Sequence, residues 1–325
     1  MNSALRLVNS SSGSAIEVQD LVKSYDGKRN AVDDITFSVR EGEIYGLLGK
    51  NGAGKSTTIK ILTTLIDPTS GRVNVLGYNP QKHPLQIKKR IGVVQQAESF
   101  DFTTVENNLK VYATLWEVPR EKAKARAEEL LELFELTDVR KTRAFELSGG
   151  QKKKLQVARE LMHDMDVLFL DEPTVGMDPI MRRRILDNIR KRAAGGVTVL
   201  FTTHFLEEAD YICDRIAIMV NGKIRVEGTS LELKSKYGGL RTLEITTPDT
   251  IGEAEILKLK RELVDSELAQ EVMLEGKTLK ILGKGITKVL EEILRLTRNY
   301  IKSIESINLR DATLDDVFIE VVNNQ

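Results

Sequence analysis

The chain has one cysteine, Cys213, and three histidines, His83, His163 and His204, in 325 residues. A single thiol excludes an internal disulfide framework and a cysteine-based structural zinc site, and three scattered imidazoles are too few for a histidine metal cage. Both counts fit a reducing compartment. Charge of one sign is missing as well: 48 Lys and Arg balance 48 Asp and Glu. A dedicated nucleic-acid binder carries a basic excess, so neutrality argues against that class. Aromatic residues are sparse at 5%, yet the 41% hydrophobic content suffices for ordinary globular cores. Long apolar runs are lacking too. The strongest, Val167–Leu170 and Val197–Phe201, have the length of buried strands and fall far short of the ~20 residues of a membrane-spanning helix. Met1–Ala15 has no apolar stretch resembling a secretory signal, and Asn9–Ser14 reads as part of a flexible leader over residues 1–15. The expectation is a chain without a membrane span, of about two domains at ~100–200 residues each.

What is present is an alternation. From Ile16 to Gly239, apolar strand-like runs alternate with helical patterns, which predicts an α/β domain around a largely parallel, buried sheet. Between about 97 and 160 the pattern turns helical, with stretches near Thr104–Trp116 and Arg120–Leu136 separated by Pro119. A break follows at Tyr237-Gly238-Gly239. Residues 240–325 then read as strand (Thr242–Thr246), helix (Ala254–Val264), strand (Glu271–Leu274), strand (Thr278–Leu282), helix (Ile286–Thr297), strand (Ser303–Leu309) and a short helix (Leu314–Val322). In the second helix Ile286, Val289, Leu290, Ile293 and Leu294 share one face. The order β-α-β-β-α-β is that of a small ferredoxin-like α+β domain.

The sharpest motif is Gly49-Lys50-Asn51-Gly52-Ala53-Gly54-Lys55-Ser56-Thr57, which matches G-x-x-x-x-G-K-[ST] between a predicted strand, Glu43–Leu48, and a predicted helix, Thr57–Leu65. The glycines let backbone N–H groups converge on phosphate oxygens, and the helix start adds its positive end. Lys55 can reach the β- and γ-phosphates, and the Ser56 hydroxyl can ligate Mg²⁺. Downstream, the apolar run Val167–Leu170 ends in Asp171-Glu172. A carboxylate there can hold Mg²⁺ through its water shell, and the next can polarise a water for attack on the γ-phosphate.

Between these motifs lies Leu147-Ser148-Gly149-Gly150-Gln151. This resembles the signature of ATP-binding cassette (ABC) proteins, and the resemblance covers about residues 16–235. It implies a phosphate-loop ABC cassette with a parallel-sheet core, an antiparallel β subdomain and a helical subdomain. It also implies roles. Tyr25 would stack on adenine, or else serve packing alone. Gln96, or by a shift of register Gln95, would link Mg²⁺ and water to the helical insert. Gly176-Met177-Asp178 would form the D-loop, and His204 would be the switch histidine. The resemblance thus implies ATP contacts at Tyr25, Gly49–Thr57, Ser148, Gly149, Gly150, Gln151 and Asp178. It implies catalytic roles for Glu172, His204 and Gln96, and Mg²⁺ contacts at Ser56, Gln96 and Asp171. One chain carries one phosphate loop and one signature, so two ATP molecules would lie between two cassettes placed head to tail. Lys152-Lys153-Lys154, Lys88-Lys89-Arg90 and Arg182-Arg183-Arg184 read as solvated faces, and Cys213 as a small buried apolar residue.

Asp171-Glu172-Pro173-Thr174-Val175-Gly176-Met177-Asp178-Pro179 and the ending Ala312–Ile319 resemble the daunorubicin-resistance-type and related export ATPases. This implies an ATPase subunit at the cytoplasmic face of the cell membrane. It would drive a separate ABC-2-type permease docked near Thr103–Asn107 of the helical insert. A soluble cassette acting on ribosomes or DNA is the alternative. It is disfavoured by the single cassette, the absence of a long coiled-coil insert and the neutral charge. An ATP sensor without turnover is disfavoured by Glu172 and His204, and a GTPase by the lack of an N-K-x-D motif. The last 86 residues would thicken the dimer or regulate it.

Overall fold

Strands rich in Val, Ile and Leu build the first part of the chain. β1 (Ser14–Ser24) and β2 (Asn30–Arg40) pair antiparallel, β3 (Ile44–Leu48) leads into α1 (Lys55–Leu62), and β4 (Ser70–Val75) returns to β1. Then follow α2 (Pro84–Lys88), β5 (Ile91–Val94), α3 (Val105–Leu115), α4 (Arg120–Leu133) and α5 (Gly149–Glu160). β6 (Val167–Asp171), α6 (Pro179–Ala194), β7 (Thr198–Thr203), α7 (Leu206–Ile212), β8 (Arg215–Val220) and β9 (Lys223–Gly228) complete this part. The computed structural model describes residues 13–97, 100, 102–237, 241–248, 252–283, 286–301, 303–310 and 312–323. They fall into two compact units divided between Ser230 and Leu231.

The first unit holds two sheets. One is antiparallel, in the order β2-β1-β4; the other has the order β5-β6-β7-β3-β8-β9. In the second sheet every pairing from β5 to β8 is parallel and only β9 runs antiparallel. Every residue of β3, β6 and β7 is buried, as expected of unbroken apolar runs covered on both faces. One apolar core joins both sheets through Ile16, Val39, Tyr45, Leu47, Ile61 and Phe169. A second joins the other side of the parallel sheet to the helices through Leu109, Leu131, Phe134, Leu155, Leu168 and Phe201. Each such side chain contributes about 1.5–3 kcal/mol of burial. Thr104 caps α3 by accepting a hydrogen bond from Asn107 N at 3.3 Å.

The second unit contains α8 (Ser230–Tyr237, whose first residue closes the first unit), β10 (Arg241–Thr246), α9 (Glu253–Asp265), β11 (Glu271–Glu275), β12 (Thr278–Gly283), α10 (Ile286–Thr297), β13 (Ser306–Arg310) and α11 (Leu314–Asn323). Its antiparallel sheet has the order β11-β12-β10-β13, the arrangement of a split β-α-β fold. Leu243, Ile245, Leu259, Leu263, Ile281 and Ile293 form its core. The division precedes the expected break at Tyr237–Gly239 because α8, which buries Leu233, follows β9 directly; Gly238 and Gly239 lie outside the described residues. Residues 1–12 of the expected leader also lie outside them, while Ser14 and Ala15 begin β1 with Ala15 buried.

His163, just after α5, is 2% exposed and stacks flat on Trp116, centroids 4.0 Å apart. Its Nε2 lies 3.3 Å from the Ile91 carbonyl, and burial pushes its pKa down to about 4 from 6.5. The unfolded chain therefore binds the extra proton between these values, so the stability held above pH 6.5 is lost as pH falls toward 4. Urea unfolding followed by the fluorescence of Trp116, the chain's one tryptophan, should lose up to about 3 kcal/mol more over this range in wild type than in His163→Gln. Equal losses would place the imidazole in water.

Candidate functional site

The site begins at the end of β3. Gly54 caps α1 with φ at 108° and no side-chain cap, so the first N–H groups of α1 face outward without a capping oxygen. A Cβ on Gly54 would lie 2.4 Å from the Ala31 carbonyl, and one on Gly49 would lie 2.4 Å from the Met219 carbonyl. Only glycine fits at either place. Lys55 is 5% exposed and folds back over the loop, where Nζ donates to Gly49 O at 2.6 Å and Lys50 O at 3.2 Å. Burial lowers its pKa, and the carboxylates of Glu172 and Asp171 act in the opposite sense. The ammonium thus spans a ring of carbonyls on one side and two acids on the other.

Those acids come from the end of β6, beside β7. Asp171 and Thr202 are register partners, and Thr202 Oγ1 donates to Asp171 Oδ1 at 2.7 Å. The Glu172 N–H points at the same hydroxyl, 3.2 Å away, and at Thr202 O, 3.1 Å away. Glu172 has φ at 51°, a left-handed conformation that a non-glycine residue adopts at a cost. Its side chain is buried. Oε1 lies 3.9 Å from Lys55 Nζ, and Oε2 lies 3.5 Å from Nδ1 of the half-exposed His204. Glu172 therefore faces a cation on one side and an imidazole on the other.

A cleft of about 250 Å³ is lined by Ala31, by residues 51–57, and by Gln96 and Glu172. The structure thus brings together the phosphate-loop residues Asn51 to Thr57, the glutamine favoured from the sequence and the second carboxylate. Gly49 and Lys50 supply the carbonyls that hold Lys55 behind it. Tyr25 stands near the cleft, 62% exposed, with its hydroxyl 3.4 Å from Thr57 Oγ1 and the Lys23 ammonium 5.2 Å from the ring centre; so exposed a residue is not there for packing alone. Outward-facing helix N–H groups, a lysine and small residues fit a chain of phosphates. Among the described residues no cluster of three or more His, Cys, Asp and Glu could hold a metal. The hydroxyl, amide and carboxylate of Ser56, Gln96 and Asp171 fit an ion that shares its shell with water and phosphate, as magnesium does.

The signature residues do not line this cleft. Ser148 caps α5: its Oγ accepts from Gln151 N at 3.3 Å, and Gln151 Oε1 accepts from Ser148 N at 3.0 Å. Gly149 has open space around it. Gly150 approaches the turn after β6 so closely that a Cβ would lie 2.9 Å from Gly176 O. That turn ends at Asp178, which caps α6 by accepting from Met181 N at 2.9 Å, and this bond lowers the pKa of its carboxyl. Ser148 and Asp178 thus lie at the two helix starts that flank the Gly150–Gly176 contact.

Lys88, Lys89, Arg183 and Arg184 are exposed, as the reading of solvated faces expects, while single residues of the basic runs are drawn into contacts. Lys153 is 6% exposed and donates to Gln95 O at 2.9 Å, while Gln156 on the same helix face donates to Gln95 O and Ala97 O. The α5 helix therefore holds the backbone on both sides of Gln96. Arg182 Nε donates to Met177 O at 2.9 Å. Arg90 Nε pairs with Asp166 at 2.7 Å. No motif marks Thr202 in the sequence, where it is one of three threonines, with Thr198 and Thr203, in the buried strand β7. Cys213 is partly buried, and burial pushes its thiol well above the usual range.

The ABC transporter family model matches residues 32–175. The daunorubicin resistance ATP-binding protein DrrA3 of Streptomyces coeruleorubidus is 34% identical over 95% of this chain and 96% of its own. The linearmycin resistance ATP-binding protein LnrL of Bacillus subtilis is 32% identical over 94% and 97%. The Nod factor export ATP-binding protein I of Ralstonia nicotianae is 33% identical over 95% and 94%. Among solved structures, an ATP-binding subunit of an ABC transporter superposes with a TM-score of 0.65 at 29% identity, covering 69% of this chain and 94% of the other. A dimeric ATP-binding cassette in a post-hydrolysis state with ADP and Pi superposes with a TM-score of 0.62 at 25% identity, covering 66% and 98%. With the phosphate loop, the paired acids and the signature in place, the chain belongs to the ABC transporter family, as an ATP-binding subunit whose ATP hydrolysis is coupled to transport.

Proposed function

We propose that this chain is the ATPase of an exporter, and that two copies sandwich two ATP molecules head to tail to drive a separate ABC-2-type permease at the cytoplasmic face of the cell membrane. The observation that carries the reading is the split site. Asn51 to Thr57 of the phosphate loop, Gln96 and Glu172 line the cleft, while Ser148 and Gly149 lie outside it and are exposed. The exposed start of α5 can accept an anion beside its capping box, and a second copy's γ-phosphate would supply one. The relatives named above are resistance and export proteins, which supports export over work on ribosomes or DNA.

Magnesium held through Ser56, Gln96 and Asp171 would neutralise charge that builds on the phosphate oxygens. The chain's own groups do the rest. Lys55 leaves the carbonyls of Gly49 and Lys50 for the phosphates. Glu172 Oε2 orients water and takes its proton, while His204 turns its imidazole to the γ-phosphate. The N–H groups at the start of α1 hold the β-phosphate. Tyr25 lies against the adenine.

For the permease, a groove of about 320 Å³ between the sheet and α3 offers a seat. Leu65, Val93, Tyr112 and Trp116 line it, with Glu160 at its floor and Lys88 at its rim. Leu65 is 47% and neighbouring Leu115 is 68% exposed, which suits a short amphipathic helix from a membrane chain. The Thr103–Asn107 turn, the docking place expected from sequence, is not among the residues lining this groove.

Three measurements test this reading. Glu172→Gln should keep ATP binding, lower turnover by roughly 100-fold or more and accumulate as a dimer in gel filtration with ATP and magnesium. Turnover near wild type would assign the water to another group. Ser148→Arg should bind ATP as a monomer but fail to dimerise; a dimer on ATP addition would refute the head-to-tail arrangement. Leu65→Glu should dimerise normally yet bring down at least about 10-fold less of a polytopic membrane chain from gently solubilised native membranes. Undiminished recovery of that chain would move its seat elsewhere on the cassette.

A further inference from the structure

Two side chains outside the expected site tie together the loops that carry its reacting groups. Glu208, on α7, is 6% exposed. Its Oε2 accepts from Thr203 Oγ1 at 2.7 Å and from Thr174 Oγ1 at 2.9 Å. Thr203 directly precedes His204, and the same hydroxyl accepts from Phe205 N at 3.0 Å. Thr174 lies two residues beyond Glu172 and starts the turn that Met177 N closes onto Thr174 O at 3.2 Å, one residue before Asp178. The Glu208 carboxylate is therefore a common acceptor for the loop after β6 and the loop after β7.

Arg182, on α6, joins the same two loops a second time. Its Nε donates to Met177 O at 2.9 Å, and its guanidinium lies 4.0 Å from the centre of the Phe205 ring. The Phe205 ring in turn lies against the His204 imidazole, centroids 4.2 Å apart. The imidazole is thus backed by a ring that Arg182 holds and anchored by a threonine that Glu208 holds.

The carboxylate comes at a cost. Oε1 of Glu208 is buried without a hydrogen-bond partner among the described residues, and burial pushes the group's pKa up. Apolar side chains of similar volume would fill the space without that loss. The first turn of α7 favours an acid, but an exposed carboxylate such as that of Glu207 serves that end; joining two hydroxyls from two loops is what a buried one adds. Thr174 and Thr203 are not among the residues that line the cleft, and both hydroxyls are engaged by Glu208, so they set backbones rather than touch substrate.

We propose that Glu208 is a positioning residue for ATP hydrolysis, which through Thr203 and Thr174 locks the His204 loop to the Glu172–Asp178 loop and so fixes His204 against Glu172. The proposal rests on the assignment of Glu172 and His204 as the reacting pair. It predicts a loss in kcat rather than in binding, because no atom of Glu208 lines the phosphate cleft.

The test uses the full chain, magnesium ATP and a fluorescent ATP analogue for affinity. Glu208→Ala should lower kcat roughly 10- to 100-fold with KM and analogue affinity within about 3-fold of wild type. Glu208→Gln still offers an oxygen to both hydroxyls and should keep kcat within about 5-fold. In a His204→Ala background, Glu208→Ala should add less than about 3-fold, since its route through the imidazole is already cut. A full additional loss in that background would show a merely structural role. Wild-type kcat in folded Glu208→Ala would overturn the proposal. If Glu208→Ala fails to fold, Thr174→Ala removes one of the two bonds and should lower kcat several-fold at unchanged affinity; no loss there would overturn it equally. Glu172→Gln is run alongside: fast turnover in that variant refutes the reacting pair itself, while a dead Glu172→Gln beside a fully active Glu208→Ala refutes only the brace.

Discussion

The parallel register of β5, β6, β7 and β3 is the constraint on which the site depends. Val94 pairs with Leu170, Asp171 with Thr202, and Leu48 with Thr203. Each strand therefore ends on one line. Just beyond that line the chain places Gln95-Gln96, Glu172, His204 and the Gly49–Thr57 loop. A shift of one residue in any pairing would turn the strand's side chains to the other face and carry its loop residue away from the cleft. Burial on both faces of Val167–Leu170 and Val199–Phe201 stabilises these pairings, and the bond from Thr202 Oγ1 to Asp171 Oδ1 suits this register alone. Strand ends at one edge of a parallel sheet are where such folds bind their ligands, and here four ends converge.

Charge is balanced at the same edge. Lys55 is too buried to be left without partners, and the structure answers with two carbonyls and the carboxylates of Glu172 and Asp171. Asp171 is itself held by Thr202. The left-handed backbone at Glu172 turns the carboxylate out of the strand toward Lys55 and His204. Strain of this kind persists only where surrounding contacts over-determine it, and the paired contacts of Glu172 N with Thr202 O and Oγ1 do so.

Much of this was legible in the sequence, for a physical reason. Phosphate recognition uses backbone N–H groups from neighbouring residues, so Gly49 to Thr57 must be contiguous and appear as a motif. The same holds for Asp171-Glu172 at a strand end and for the Ser148–Gln151 capping box. Helix α10 was legible to the residue, Ile286–Thr297, since its apolar face repeats at helical spacing. The hidden residues are those whose partners are distant in sequence. Lys153 looked like one of three solvated lysines, and only the return of the chain from β5 gives it Gln95 O to bind. Arg182 looked the same until the turn at Met177 folded under it. Glu208 sat in a helix with acids on either side in the sequence, Glu207 and Asp210, and nothing local marks it as the buried one.

The hidden contacts share a pattern that bears on how such a switch works. The residues Asn51 to Thr57, Gln96 and Glu172 line the cleft, whereas Lys153, Gln156, Arg182 and Glu208 lie outside it and hold the loops by hydrogen bonds. Lys153 and Gln156 join α5, which begins at the signature serine, to the backbone around Gln96. Glu208 and Arg182 join the turn that Gly150 touches to the loop of His204. A displacement of the signature helix is therefore felt at Gln96 through one set of bonds and, through Gly176, at His204 through the other. Occupancy of Ser148 by a second copy's nucleotide would thus act on both sides of the attacking water's place without either loop touching that nucleotide. In the proposed head-to-tail dimer, these two short sets of hydrogen bonds between helices and loops would link binding at the signature to the geometry at Glu172.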